Sequence, residues 1–138
     1  MATYTANAAQ AGIQPKGLRV GLVAVTGFYS FGAASLSIAT TVQMVKIPKG
    51  ATPVFIQAST TQAGQYQVAI GDGNAVERYR SDATLSLGQG VVFGNVVGHP
   101  YTYSVDDTID MLVSAVSVST LGGAFYLTAI YSMDIQGN

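Results

Sequence analysis

The chain contains no cysteine, no tryptophan and a single histidine, His99. Without cysteine it has neither disulfides nor thiolate chemistry, so its stability must come from packing. Charge is also scarce: 9% of the residues are charged, against about a quarter in an ordinary soluble domain, while 49% are hydrophobic. A surface that poor in charge is a solubility liability for a free monomer, which favours a protein whose surface is covered in part by other subunits.

The few charges are balanced, with six Lys and Arg against seven Asp and Glu and a formal net charge of -1. No broad basic field exists to attract a phosphate backbone, so we do not expect nucleic acid as a partner. The N-terminus has no basic region leading into an apolar core, and no run approaches the ~20 apolar residues of a membrane span. We therefore expect a soluble product made in the cytoplasm, with no membrane partner.

The 138 residues suit one domain with a core of its own. Residues 1–18 are rich in Ala, Thr, Asn and Gln and lack hydrophobic periodicity. They predict an extended N-terminal arm, with a disordered terminus as the alternative. Residues 19–138 are expected to form a single β-sandwich domain.

From Arg19 onward, short runs alternate between apolar and polar residues and are separated by Gly, Pro, Asn and Asp. This period of two is typical of strands, and no segment carries a helical stripe with caps. A Thr-Gly break separates "RVGLVAV" from "FYSFGA", which predicts two strands there. The runs "TIDMLVSAVSVS" and "GAFYLTAIYSM" are apolar on both faces, which indicates central strands or a subunit contact on the outer face. The fold class predicted is all-β: an antiparallel β-sandwich of the jelly-roll type.

Two stretches predict turns. "KIPKGA" reads as a corner between strands, where Pro48 fixes φ and Gly50 supplies the flexible position. "GDGNA" carries the Gly and Asn that tolerate positive φ, so the surrounding residues, Gln65 to Arg80, read as a hairpin with a longer loop.

Residues that could carry chemistry are few. His99 precedes a proline and has no nucleophile-elbow spacing near it. Asp106, Asp107 and Asp110 could hold a hard cation, but no Gly-centred loop surrounds them, and a turn with capping carboxylates is the alternative. The other acids are scattered, so no carboxylate pair suited to glycoside hydrolysis is expected. We predict no catalytic, cofactor-binding or metal-binding residue.

Candidate protein contacts are easier to find. The arm carries Tyr4. Arg78 and Arg80 fall on one side of an edge-like strand, as a contact edge or as a solvated edge that discourages aggregation. Tyr101 and Tyr103 share one face of "YTYSV", which suits either a protein interface or stacking on sugar rings.

Three segments, "IPKGATPVFIQAS", "VAIGDGNAVERY" and "GAFYLTAIYSMD", resemble the small β-rich structural proteins of tailed bacteriophages. The resemblance covers roughly Val42 to Asp134. It implies a capsid cement or decoration protein with a jelly-roll or related sandwich. Such a protein binds the outside of an icosahedral shell of major capsid protein as a homodimer or homotrimer. It implies no enzyme and no cofactor. The alternative is a receptor- or carbohydrate-binding module of a phage fibre or tail tip, and an enzyme is a distant third.

Overall fold

The protein is a β-sandwich, seen in a computed structural model that describes residues 3–6, 22–31, 37–61, 64–87, 90–93, 101–118 and 122–133. The described residues form nine strands and no helix. The strands are β1 (Thr3–Thr5), β2 (Leu22–Ser30), β3 (Thr41–Ile47), β4 (Ala51–Thr60), β5 (Gly64–Gly71), β6 (Arg80–Ser86), β7 (Gly90–Phe93), β8 (Asp107–Val118) and β9 (Ala124–Met133). His99 lies outside the described residues.

The strands form two sheets, a five-stranded sheet in the order β1-β3-β8-β5-β6 and a four-stranded sheet in the order β2-β9-β4-β7. All pairs except β1 with β3 are antiparallel. β2 pairs with β9, β3 with β8, β4 with β7 and β5 with β6, as in one long antiparallel ribbon that bends at the β5–β6 hairpin and rolls into two layers. The predicted antiparallel sandwich is confirmed, and this order is consistent with the jelly-roll type.

The core lies between the sheets and follows from the period of two. In β9, Phe125, Leu127 and Ala129 are fully buried, while Tyr126 between them is exposed. The rings of Phe125, Tyr66 and Phe31 meet edge to face, with centroids 5.0 to 6.0 Å apart. Such contacts add to the burial of apolar area that stabilises the sandwich.

β8 and β9 occupy central positions, the first of the two alternatives predicted for them. β8 lies between β3 and β5, and β9 lies between β2 and β4. Their outward faces carry apolar residues near the strand centres, Leu112 in β8 and Tyr126 and Ile130 in β9, which alternate with polar residues such as Asp110 and Thr128.

The predicted break at Thr26–Gly27 is wrong, since β2 runs without interruption from Leu22 to Ser30. Gly27 is needed for another reason: a Cβ there would overlap the carbonyl oxygen of Met44 in the opposite sheet. The glycine lets β2 cross close over β3, which is a use of glycine that the sequence pattern does not distinguish from a turn.

Both turns form where they were predicted, but the positive φ expected of the Gly and Asn residues in "GDGNA" is not observed. Between β3 and β4, the Ala51 amide donates to the Pro48 carbonyl over 3.1 Å, and Gly50 has φ of 90°. This geometry is that of a type II turn, which requires a residue that tolerates positive φ at its third position. β5 and β6 form the predicted hairpin, whose long loop spans residues 72–79.

Part of the predicted arm belongs to the sheet. β1 lies parallel to β3, with Thr3 opposite Thr41 and Thr5 opposite Gln43. The Ala6 amide donates to the Gln43 carbonyl over 2.7 Å, and the side chain of Ala6 is fully buried. The rest of residues 1–18, and the boundary predicted at residue 19, lie outside the described residues.

Candidate functional site

A buried carboxylate organises one end of the sandwich. Asp72 begins the β5–β6 loop and is 0% exposed. Its Oδ1 accepts hydrogen bonds from the amides of Asn74 (3.0 Å) and Ala75 (2.9 Å), which closes the start of the loop as an Asx turn. Its Oδ2 accepts from the Arg78 Nε over 2.5 Å and from the Tyr103 hydroxyl over 2.8 Å. The carboxylate is therefore paired with a cation and satisfied by several donors, as a buried charge must be.

Three tyrosines surround this ion pair. The hydroxyls of Tyr79 and Tyr103 are 2.7 Å apart and share a hydrogen bond. The rings of Tyr101 and Tyr103 meet edge to face at 4.9 Å, and the guanidinium carbon of Arg78 lies 3.6 Å from the centroid of the Tyr101 ring. The cation thus contacts both the carboxylate and the face of an aromatic ring.

The 101–106 segment links this cluster to the β3–β4 corner. The Gly50 amide donates to the Tyr103 carbonyl (2.8 Å), and the Tyr103 amide donates to the Ala51 carbonyl (3.0 Å). The Lys49 amide donates to Asp106 Oδ1 over 2.8 Å. Three connections that are distant in sequence are therefore joined at one end of the fold.

The electrostatics of the cluster follow from burial and hydrogen bonding. Burial alone raises the pKa of Asp72, but the hydrogen bonds from Arg78, Tyr103 and the two amides outweigh it and leave the pKa below its ordinary value. Burial, followed by the neighbouring Tyr79 and Asp72, raises the pKa of Tyr103 far above its ordinary value. At neutral pH the cluster holds the Asp72 carboxylate, the Arg78 guanidinium and the neutral hydroxyls of Tyr79 and Tyr103, because burial raises the pKa of both tyrosines. Such an arrangement is suited to locking loops together.

Two of the neighbouring acids act as the predicted caps. Asp106 accepts from the Lys49 amide, and Asp107 accepts from the Thr108 amide over 2.8 Å. Asp110, 8% exposed, accepts from the Thr108 hydroxyl over 2.6 Å, and burial raises its pKa to about 6. Within the described ranges, no group of His, Cys, Asp and Glu side chains is arranged to hold a metal ion. In the same part of the chain, no helix is long and apolar enough to cross a bilayer.

The structure separates the residues singled out as contact candidates. Tyr4 is 38% exposed at the edge of the five-stranded sheet, where its ring lies 5.1 Å from that of Tyr29. Arg80 is exposed at the start of the edge strand β6. Arg78 is not on that strand, because the loop continues to Tyr79 and turns its side chain toward Asp72.

The predicted tyrosine face is not formed. The segment 101–106 is not a strand, so Tyr101 and Tyr103 do not share the outer face of a sheet. Tyr103 is 2% exposed, and the ring of half-buried Tyr101 is covered by Arg78. Two open rings on one face, as sugar stacking needs, are absent from this pair.

A different surface stands out once the sheets are known. The strands of the four-stranded sheet, β2, β4, β7 and β9, contain no Asp, Glu, Lys, Arg or His. In the described ranges, all charged residues lie on strands of the five-stranded sheet or in loops. We call the outer side of β2, β9 and β4 the uncharged face.

The uncharged face has apolar and hydroxyl rows. Phe28 and Tyr126 are directly opposite each other, 43% and 39% exposed, with ring centroids 5.9 Å apart. Thr26 and Thr128 are also opposite each other, and their hydroxyls share a hydrogen bond of 2.8 Å. The other outward residues of the face include Leu22, Ala24, Ile130, Phe55 and Gln57, with Ser30, Ser59 and Ser132 nearer its ends.

The sequence alone predicted neither the Asp72–Arg78 ion pair nor the uncharged face, and the reason is the same for both. The pairing of Asp72 with Arg78 depends on the course of an irregular loop, for which no spacing rule exists. The uncharged face depends on which strands share a sheet. The lack of charge in "LVAVTGFYS" and "AFYLTAIYSM" was a readable signal, but nothing in the sequence said that these runs are neighbours.

Solved structures with a similar fold were found in phage capsids. No family model matches the chain, and no curated protein matches it. Among solved structures, it is similar to a chain in the capsid of Ralstonia phage GP4, with a TM-score of 0.76 and 12% identity over 95% of this chain and 97% of that chain. It is also similar to a chain in the cyanophage Pam1 capsid asymmetric unit, with a TM-score of 0.70 and 13% identity over 88% of this chain and 91% of that one. A chain in the acidic stable capsid structure of Helicobacter pylori bacteriophage KHP30 has a TM-score of 0.54 and 12% identity over 83% and 94%. The chain therefore shares its fold with polypeptides of similar length in these phage capsid structures.

Proposed function

We propose that the protein is a virion structural protein of a bacteriophage. It binds the outside of an icosahedral capsid across junctions between major capsid protein subunits and stabilises the shell against the pressure of packaged DNA. The observation that carries this proposal is the match, over nearly their whole length, to chains in three phage capsid structures. In each of them the sandwich is a separate polypeptide about as long as this one, as a cement protein would be.

The composition and the site support a binding role. Low charge and an uncharged sheet face suit a protein whose surface is covered in an assembly. The Asp72 cluster has its donors and acceptors directed at one another, so it stiffens the loops at one end of the sandwich. A rigid scaffold lowers the entropy cost of binding, because fewer groups must be ordered at the interface.

The mechanism is stabilisation by mass action. A protein that binds the closed shell better than its separate subunits shifts the equilibrium toward the closed shell. Many copies on one capsid add their effects, and a copy that touches two capsid subunits gains from the high effective concentration of the second contact. The contacts we propose are Tyr4 with the N-terminal segment, the β6 edge that begins at Arg80, and the partly exposed Tyr101.

The test is cosedimentation of the purified protein with DNA-filled and empty capsids that lack it. We expect saturable binding at a fixed copy number and a raised temperature of DNA release. Arg80→Glu is expected to weaken binding at least tenfold. Lys49→Glu, which changes the net charge equally but lies at the β3–β4 corner, is expected to bind as the wild type does. A protein that never pellets with capsids, and pellets instead with host cells or their glycans, would replace this proposal by the receptor-binding alternative.

A further inference from the structure

We propose that the uncharged face is a homotypic interface, through which two copies of the chain pack sheet against sheet around a two-fold axis. The partner is a second copy of this chain. The inference is independent of the capsid proposal, because it concerns the purified protein alone.

The first argument is the distribution of charge. In a two-fold contact each residue meets the same surface that it belongs to, so a single charge on that surface tends to face its own kind. The described strands of the uncharged face contain no charged residue, whereas the outer side of the five-stranded sheet carries Lys46, Arg80 and Asp82. The four-stranded sheet is therefore the one that can be buried against a copy of itself without burying an unpaired charge.

The second argument is that the central hydroxyl pair of the face is already hydrogen-bonded. A buried hydroxyl is costly unless it has a hydrogen-bond partner. Thr26 and Thr128, in the middle of the face, bond to each other over 2.8 Å. On both sides of this pair lie apolar residues, the stacked Phe28 and Tyr126 on one side and Ile130 on the other. A dry contact would thus leave this central hydroxyl pair satisfied.

The third argument is size. Nine residues of β2 span about 30 Å, and the three strands of the face, about 4.8 Å apart, are about 14 Å wide. The face therefore covers about 420 Å² in projection, and a pair of faces covers about 840 Å². The accessible area is larger than the projection because side chains make the surface uneven, so the buried area reaches the ~1,000 Å² at the lower end for a specific interface. Exposed aromatic rings near the centre are typical of such interfaces.

The test is sedimentation equilibrium of the full chain with two matched variants. Thr26 and Thr84 are both exposed, outward residues of edge strands, but Thr26 is on the uncharged face and Thr84 on the other sheet. We expect the wild type and Thr84→Lys to be dimers at micromolar concentration and Thr26→Lys to dissociate at least 100-fold more readily, with far-UV circular dichroism unchanged. A monomeric wild type, a trimer, or equal effects of the two variants would overturn the proposal.

A second measurement does not depend on how well a lysine variant folds. Because the chain has no cysteine, Thr26→Cys and Thr84→Cys each provide one labelling site. Packed sheets are about 10 Å apart, so the Thr26 sites are separated by about one sheet spacing across the interface and the Thr84 sites by about three. Spin labels at Thr26 should therefore give the shorter inter-subunit distance. The reverse order would mean that the copies contact through the five-stranded sheet, and would refute the inference.

Discussion

Replacing the buried Asp110 by asparagine should stabilise the protein at neutral pH. Asp110 lies in the central strand β8, opposite Gly71 and Gln43, and is 8% exposed. Burial, followed by the negative charges of Asp107 and Asp72, raises its pKa to about 6 from an ordinary value of 3.8, although the hydrogen bond from Thr108 acts in the opposite direction. The carboxylate is therefore less favourable in the folded state than in the unfolded chain.

The magnitude follows from linkage. A carboxyl whose pKa is raised on folding keeps its proton in the folded protein between about pH 4 and 6 while the unfolded chain loses it. Stability therefore falls as pH rises through this window and stays lower above it. A shift of about two units corresponds to about 3 kcal/mol at 1.36 kcal/mol per unit. For a chain of this length, 3 kcal/mol is about 10 °C in Tm.

The assay is thermal unfolding of the wild type and Asp110→Asn between pH 3.5 and 8. We expect nearly equal Tm values at pH 3.5 and a gain of about 10 °C for the variant at pH 7.5. The lowered pKa of Asp72 makes wild-type stability fall in acid, but it acts equally on both proteins and cancels in the difference. Asp82→Asn, at an exposed position of β6, is the control and should change stability by less than about 0.5 kcal/mol. A difference between the variant and the wild type that does not change with pH would refute the reasoning.

Two further substitutions test other parts of the fold. Asp72→Asn should cost about 3 kcal/mol at pH 7 because it leaves the Arg78 cation without its carboxylate. Since the pKa of Asp72 is lowered on folding, this loss of stability should become smaller as pH falls below about 4. Urea unfolding at pH 7 and pH 3 would measure it, with Asp106→Asn as the control. A loss of stability that stays the same in acid would contradict the ion-pair explanation. Gly27→Ala should cost about 2 to 3 kcal/mol, because its Cβ would overlap the Met44 carbonyl oxygen and push the sheets apart. Gly73→Ala is the control: its Cβ would lie 3.4 Å from the nearest atom, so the free energy of unfolding should hardly change in the same urea assay. Equal losses of stability at both glycines would show that close packing at Gly27 is not the cause.

The two sheets differ in a way that bears on assembly. Arg80 and Asp82 lie on β6, at one edge of the five-stranded sheet, while the four-stranded sheet is uncharged. If two copies pair through the uncharged face, each keeps its β6 edge outside that contact. Such a dimer has two equivalent edges, which suits a protein that bridges two capsid subunits.

Much of the fold was predictable because it depends on local patterns. Alternation in "QYQVAI" and "GAFYLTAIYSM" predicts strands, since a half-buried strand places successive side chains on opposite faces. The Pro-Lys-Gly corner was predictable because positive φ requires a residue such as Gly50. The "GDGN" loop was located correctly from its turn residues, but for the wrong reason, since none of them adopts positive φ and an Asx turn at Asp72 closes the loop instead. Gly27 misled the prediction, because a glycine that permits close packing of two sheets looks the same in sequence as one that permits a turn.

By itself, the sequence determined the class of the protein: an all-β chain, poor in charge, with turns at defined positions and two strands apolar on both sides. The tertiary structure decided which residues meet. It placed Tyr103 beside Asp72 and Tyr79 in the interior, although alternation suggested a surface pair with Tyr101. It also brought β2 and β9 together, so that two uncharged runs became one uncharged face. The reason is physical: alternation specifies which side of a strand is buried, whereas strand order and loop paths depend on contacts between residues far apart in the chain.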